Sequence, residues 1–212
     1  MHGSSAKNAP ERRSDSCAAL LAAAQTEFLD QGFQAARIED IARRAGMGKG
    51  SVYLHFKTKE ALLQAVIEEG VGQRIEQAES FATRFEGSAS DLLERMLRTN
   101  LLEFWDSNAS GIYKLVIAES KRFPEYAAIY YNSVTTRAIA LVSSTLELGI
   151  RQGEYRDIDV AYTARIIIDA LENELVQTHA FAEAHAEPLD ALRYIDALLA
   201  LITRGAGREA TS

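Results

Sequence analysis

Apolar side chains recur every three or four residues along almost the whole 212-residue chain, and no β-branched run alternates with polar residues between turn signals. A chain patterned this way can bury its apolar stripes only by packing helix on helix, so the expected fold class is all-α with about nine helices. Local signals set the boundaries. The first helix is expected over residues 10–31, with Cys17, Leu20, Leu21, Ala24 and Phe28 on its inner face and Gly32 ending it. A short helix over 37–45 follows, then G-M-G-K-G and a second short helix in S-V-Y-L-H-F. Thr58 is a good N-cap for one helix reaching Phe85, and Ser88 with Asp91 resembles a capping box opening another through Trp105. Asn108 to Gly111 reads as an interruption before a helix holding Tyr113, Val116 and Ile117. Pro124 starts a long helix ending near Gly149 to Gly153, D-I-D-V opens one reaching Ala184, and Pro188 opens the last, ending at Gly205.

Composition narrows the class further. Hydrophobic residues make up 47% of the chain, enough for a sizeable core, and a single cysteine excludes a disulfide framework or a multi-cysteine zinc site. No stretch approaches the roughly 20 apolar residues that cross a bilayer, and the first residues lack a secretory apolar region, so a cytoplasmic protein with no membrane partner is expected. The net charge of -7 argues at first against a polyanionic partner. It is unevenly spread. Residues 1–60 carry nine Lys and Arg against seven Asp and Glu, whereas residues 61–212 carry fourteen against twenty-three. A small segment suited to an acidic partner and a larger acidic body follow from that asymmetry.

Two short helices joined by a glycine-containing turn are the signature of a helix-turn-helix, whose second helix lies in the major groove of DNA. Ile38, Ile41, Ala42 and Ala45 form the inner face of the first, and Val52 and Phe56 anchor the second. Lys49, Gly50, Ser51, Tyr53 and His55 remain outward; lysine meets phosphate or guanine, serine meets base edge or phosphate, and glycine admits close backbone approach. The stretch I-E-D-I-A-R-R-A-G-M-G-K-G-S-V-Y-L-H-F-K-T-K-E-A-L resembles the DNA-binding signature of the tetracycline-repressor (TetR) family. The resemblance implies a three-helix DNA-binding head over residues 10–56 and a larger ligand-binding and dimerisation body over 57–206, with 1–9 and 207–212 as disordered tails. It implies base-edge contacts at Lys49, Gly50 and Ser51, and phosphate contacts at Tyr53, His55, Lys59 and Arg37. Two positions depart from the family pattern: Ala36 and Gly48 stand where Thr or Ser commonly caps the two motif helices, removing a side-chain acceptor.

In the body, aromatics cluster in the middle helices, and pockets in helical bundles are lined by such groups with a few polar ones among them. Asn100, Phe104, Trp105, Tyr113, Tyr126, Tyr130 and Arg137 are the candidate contacts of a small, mostly apolar effector; filling of the core is the alternative for each aromatic. Ile167, Ile168, Leu171, Leu175, Leu192, Ile195, Leu198, Leu199 and Ile202 give the last two helices more apolar surface than one small body hides, which predicts a homodimer reading a palindromic operator. The expected role is a ligand-responsive repressor on double-stranded DNA, with no cofactor; a protein-interaction module that kept the head is the alternative. G-M-G-K-G lacks the spacing and preceding strand of a nucleotide loop, and His179 with Glu183 supplies two potential metal ligands but no third. Cys17 lies on an apolar stripe, which favours burial over redox sensing. The four histidines form no catalytic constellation, and Glu119 and Glu172 are the least poor acid-base candidates, so no enzyme is expected.

Overall fold

The computed structural model describes the backbone of residues 9–105, 108–181 and 190–206, and of these the side chains of 9–14, 70, 100–105, 108–109, 179–180 and 206 lie outside the description. Helices α1 (Ala9–Ala35), α2 (Ile38–Arg44) and α3 (Lys49–His55) form the N-terminal unit. They lead into α4 (Lys59–Gly70), α5 (Gly72–Arg84), α6 (Ala89–Trp105) and α7 (Asn108–Glu119). Next come α8 (Pro124–Tyr130), a π-helical turn (Tyr131–Thr135) and α9 (Thr136–Gln152), continuous with one another, and then α10 (Val160–Ala180) and α11 (Ala191–Ala206). With α4 and α5 taken as one bent rod and the continuous run 124–152 as another, nine helices are present among the described residues.

Caps sit where short polar side chains meet orphan N–H groups. The Ala61 N–H donates to Thr58 Oγ1 at 3.0 Å, that of Asp91 to Ser88 Oγ at 3.0 Å, and that of Tyr162 to Asp159 Oδ1 at 3.1 Å. The start of α6 is held from a distance as well, since Glu154 accepts from the Ala89 and Ser90 N–H groups at 2.9 and 3.0 Å. Glu154 is thereby kept below its ordinary pKa despite its partial burial, which works in the opposite direction.

Two apolar clusters organise the molecule. The first joins Leu20, Phe28 and Phe33 of α1, Ile41 of α2 and Val52 of α3 to α4, α7 and α8. The second joins Leu93 and Leu97 of α6, Leu146 of α9, Ile167 of α10 and Ile195 of α11. The first cluster crosses the expected boundary near residue 56, so the N-terminal helices share their core with the body.

Several expectations are corrected by packing. The rod expected over 58–85 is two helices meeting at Val71, which is buried and has φ -105°. Asn108 to Gly111 is the first turn of α7, not an interruption. Gly111 is there for proximity, because a Cβ on it would lie 2.8 Å from Leu29 Cδ2 of α1. The N-cap of α2 is Arg37, and Ala36 is buried beside it; neither Arg37 nor Gly48, the N-cap of α3, makes a side-chain cap bond. Helix α10 ends at Ala180, and both Pro188 and the tails lie outside the described residues. Of the residues offered as spare apolar surface, Ile167, Ile168, Leu175, Ile195, Leu199 and Ile202 are buried within the chain's own core. Leu192 of that set stays outside at 47% exposure, and Tyr162, Ile166 and Leu201, which were not in it, are 71%, 64% and 73% exposed.

Arg37 occupies a capping position with a side chain that cannot accept the orphan N–H bonds of α2. Arg37→Ser therefore stabilises the fold by about 0.5–1 kcal/mol, read as a higher urea midpoint with unchanged slope; an unchanged or lower midpoint would contradict this cap assignment.

Candidate nucleic-acid interface and body cavity

The interface is built by α2, a tight turn and α3. Ile38, Ile41 and Ala42 bury the inner face of α2, and Val52, with no exposure, anchors α3. The turn closes through the Met47 N–H donating to the Ala42 carbonyl at 2.8 Å, with Gly46 at φ +69°, a backbone region that costs an L side chain about 1–2 kcal/mol. With α3 pinned from below, Lys49, Gly50, Ser51, Tyr53 and Leu54 all stand exposed, and His55 is half-buried beside Phe56. Arg37 is exposed at the head of α2. Five of the seven residues expected to meet DNA thus lie on one short rod, and Arg37 stands at the head of the helix before it.

Lys59 is placed differently. Its Nζ donates to the carbonyls of Phe33, Gln34 and Ala36 at 2.7, 3.1 and 3.1 Å and lies 4.7 Å from the Phe33 ring centroid. All three ammonium protons are committed to carbonyls just past Gly32, whose φ of +75° breaks the regular helix of α1 as the sequence expects. Lys59 therefore ties α4 to α1 rather than facing solvent.

Two features of this surface escaped the sequence reading. Leu54 is 76% exposed on the outer side of α3. Glu39 of α2 forms an ion pair with Lys49, and this hydrogen bond holds the carboxyl below and the ammonium above their ordinary pKa values. Lys49 Nζ also lies 5.9 Å from the Tyr53 ring centroid. Periodicity marks which residues point out; it does not tell which outward neighbours on different helices will meet.

The N-terminal unit meets the body through aromatic rings. Phe33, 1% exposed, sits 5.5 Å from Phe28, 5.5 Å from Phe123 in an edge-on arrangement and 5.6 Å from Tyr126, also edge-on. Phe123 and Tyr126 belong to the R-F-P-E turn and the first turns of α8, so this turn is docked against the end of α1.

Inside the body lies a cavity of about 140 Å³ between α5, α6, α8, α9 and α10. Its wall is apolar, with Val71, Met96, Leu97, Val134 and Ile168 among the lining residues, apart from Tyr130, Arg74 and Glu172. A second chamber of about 230 Å³ adjoins it, and Tyr130 and Glu172 line both. The second chamber adds Tyr113, Thr135, Arg165 and Asp169. Thr135 Oγ1 donates to Glu172 Oε1 at 2.6 Å, and burial pushes the Glu172 carboxyl above its usual range, partly offset by hydrogen bonds from Thr135 and Tyr113. Burial, then the nearby Glu172, raises the Tyr113 phenol to about 12.

Of the residues expected to line a pocket, Tyr130 borders both chambers and Tyr113 the second. Tyr126 is packed into the aromatic joint instead, and Arg137 turns to a separate cleft, where it pairs with Glu79 through two bonds of 3.0 and 2.5 Å. The side chains of Asn100, Phe104 and Trp105 lie outside the described residues, as do those of His179 and Glu183. Among the described residues no three potential metal ligands gather. Cys17 is half-buried against the core, and burial raises its thiol pKa, the opposite of what a reactive thiolate needs. No described helix is long and apolar enough to cross a membrane.

Comparison with known proteins agrees with this arrangement. Residues 20–66 match the model of "Bacterial regulatory proteins, tetR family", and residues 91–202 match that of "AefR-like transcriptional repressor, C-terminal domain". The chain is 28% identical over 154 residues to the uncharacterised HTH-type transcriptional regulator YerO of Bacillus subtilis, a match spanning 70% of this chain and 52% of that protein. A transcriptional regulator from Saccharomonospora viridis, solved in complex with choline, superposes with a TM-score of 0.77 at 18% identity over 92% of this chain and 100% of the other. FadR from Bacillus subtilis, in complex with stearoyl-CoA, gives a TM-score of 0.70 at 19% identity over 89% and 98%. A helix-turn-helix of this form on an all-α body, matched by both family models, makes the chain a member of the TetR family of transcriptional regulators, a family of DNA-binding proteins rather than enzymes.

Proposed function

We propose that the protein is a cytoplasmic, homodimeric repressor that leaves a palindromic operator when a small effector enters the body cavity. Residues 10–56 act as the DNA-binding head and 57–206 as the ligand-binding and dimerisation body. The observation carrying this reading is the outer side of α3, where Lys49, Gly50, Ser51, Tyr53 and Leu54 are all open to solvent above a buried Val52. In a major groove, Lys49 and Ser51 reach base edges, Gly50 admits the backbone, and Tyr53, His55 and Arg37 meet flanking phosphates. Leu54 supplies an apolar surface for a thymine methyl group. Lys59 serves by positioning α4 against α1.

Pairing uses the side of α10 that carries Tyr162 and Ile166, four residues apart and so on one face. The two heads then address successive major grooves about 34–36 Å apart. Effector coupling runs through two routes that start at the cavity wall. Val71, where α4 meets α5, lines the cavity, and Tyr130 of α8 lies one turn beyond Tyr126, which touches Phe33. A guest that prefers one setting of these helices shifts the spacing of the heads, with a coupling of about 1–3 kcal/mol in typical cases. The solved neighbours carry ligands as unlike as choline and stearoyl-CoA, so the fold sets no ligand class by itself.

Glu39 competes with DNA for the Lys49 ammonium. With a duplex recovered by selection from random sequence, Glu39→Gln tightens binding and steepens its salt dependence, whereas Lys49→Ala weakens it and lowers the salt slope by about 1. Fluorescence anisotropy from 50 to 200 mM salt (a range chosen so that the slope is measurable) reads both; binding indifferent to salt would refute the operator reading. In sedimentation equilibrium at micromolar concentration the unaltered chain is a dimer and Ile166→Arg a monomer, and a variant that stays dimeric would move the interface elsewhere.

A further inference from the structure

Glu172 is the carboxyl on the boundary between the two chambers, and its surroundings single out a guest. On the second chamber's wall the other two charges cancel, because Arg165 Nε donates to both Asp169 oxygens at 2.8 and 3.0 Å. Among the described residues none forms an ion pair with Glu172; its partners are the hydroxyls of Thr135 and Tyr113. The rings of Tyr113 and Tyr130 stand beside it, packed on each other at a tilt with centroids 5.2 Å apart, so that the aromatic pair borders the carboxyl. The π-helical turn brings these parts together: it puts Val134 on the wall of the first chamber and the next residue, Thr135, on that of the second and on Glu172. Extra residues of this kind inside α-helices recur at functional sites.

We propose, resting on the effector reading above, that the cavity takes a small amphiphile whose polar end is a protonated amine or quaternary ammonium seated on Glu172 beside the Tyr113 and Tyr130 rings. Its apolar part fills the first chamber, whose volume of about 140 Å³ suits a group the size of a single benzene ring. The ammonium supplies a counter-charge to Glu172, which is half-buried, so their attraction is less screened than at an open surface. A guest ending in a carboxylate would bring a second negative charge against Glu172, and like charges at close range are strongly disfavoured. Arg74 is the other charged residue on the first chamber's wall, and it also borders a cleft on its far side that Glu69 lines.

Three guests of matched size separate the possibilities: 2-phenylethylamine, 2-phenylethanol and 3-phenylpropanoate, titrated calorimetrically into the full chain at pH 7. The expected order is amine, alcohol, carboxylate, with at least about a tenfold preference for the amine over the carboxylate. Glu172→Gln is expected to fold, since the amide has nearly the same shape and its oxygen still accepts from the Thr135 and Tyr113 hydroxyls, and to bring amine and carboxylate within about threefold of each other while alcohol binding persists. A carboxylate that binds the unaltered protein as tightly as the amine overturns the proposal without needing any variant. A preference unchanged in Glu172→Gln overturns it too. In both of those cases binding of the alcohol leaves the effector reading standing. Binding of none of the three refutes the proposal.

Discussion

The burial of Phe33 between the N-terminal helices and the body is the contact on which the rest of the molecule depends. Its ring meets Phe28 behind it, Phe123 and Tyr126 in front, and the Lys59 ammonium at one side. Aromatic pairs of this kind add about 0.5–1.5 kcal/mol each beyond the area they bury, and the lysine closes the carbonyl end of α1 at the same point. The two short helices α2 and α3 bury few side chains of their own. Anchored at Phe33, they share a core with α4, α7 and α8.

That shared core makes a distant cavity relevant to DNA. A head attached by a flexible linker would be indifferent to what the body binds. Here α8 carries Tyr126 in the joint and Tyr130 at the cavity wall, one helical turn apart, and α4 runs from its Lys59 anchor down to Val71 at the same wall. In the proposed mechanism these two helices, spanning both sites, carry the change of setting, because packed interfaces shift between discrete arrangements rather than deform smoothly. The charge distribution follows the same division. The acidic body repels a duplex, leaving the exposed rod of α3 as the surface suited to it, and even there Glu39 restrains Lys49.

The parts of this design that are local were legible in the chain. The helix-turn-helix could be read because Gly46, the buried Ile41 and Val52 and the outward Lys49 and Tyr53 lie within a dozen or so residues of one another, where period and turn chemistry decide. Features that depend on distant partners were not. Lys59 lies in a stretch that reads as a phosphate contact, yet its three donors are consumed by carbonyls at and just beyond the end of α1, 23 to 26 residues away. Gly111 reads as a helix breaker but is small because Leu29 of α1 crosses it. Tyr126 and Tyr130 are one turn apart on an aromatic stripe, and nothing in their spacing tells that one belongs to the joint and the other to the cavity. Glu172 drew notice as an acid-base candidate; its setting beside Thr135 arises from a π-helical turn that has no sequence signature of its own.

The claim that the DNA-binding helices and the body form one cooperative unit is open to a direct measurement. Native-state hydrogen–deuterium exchange on the full chain compares amides of residues 20–28 in α1 with those of residues 112–116 in α7. A shared core requires that both sets open with the same free energy and respond together when Phe123 is replaced by alanine. Amides of α1 that open independently, several kcal/mol more cheaply than those of α7, would mean that the joint does not bind head to body and would contradict the account.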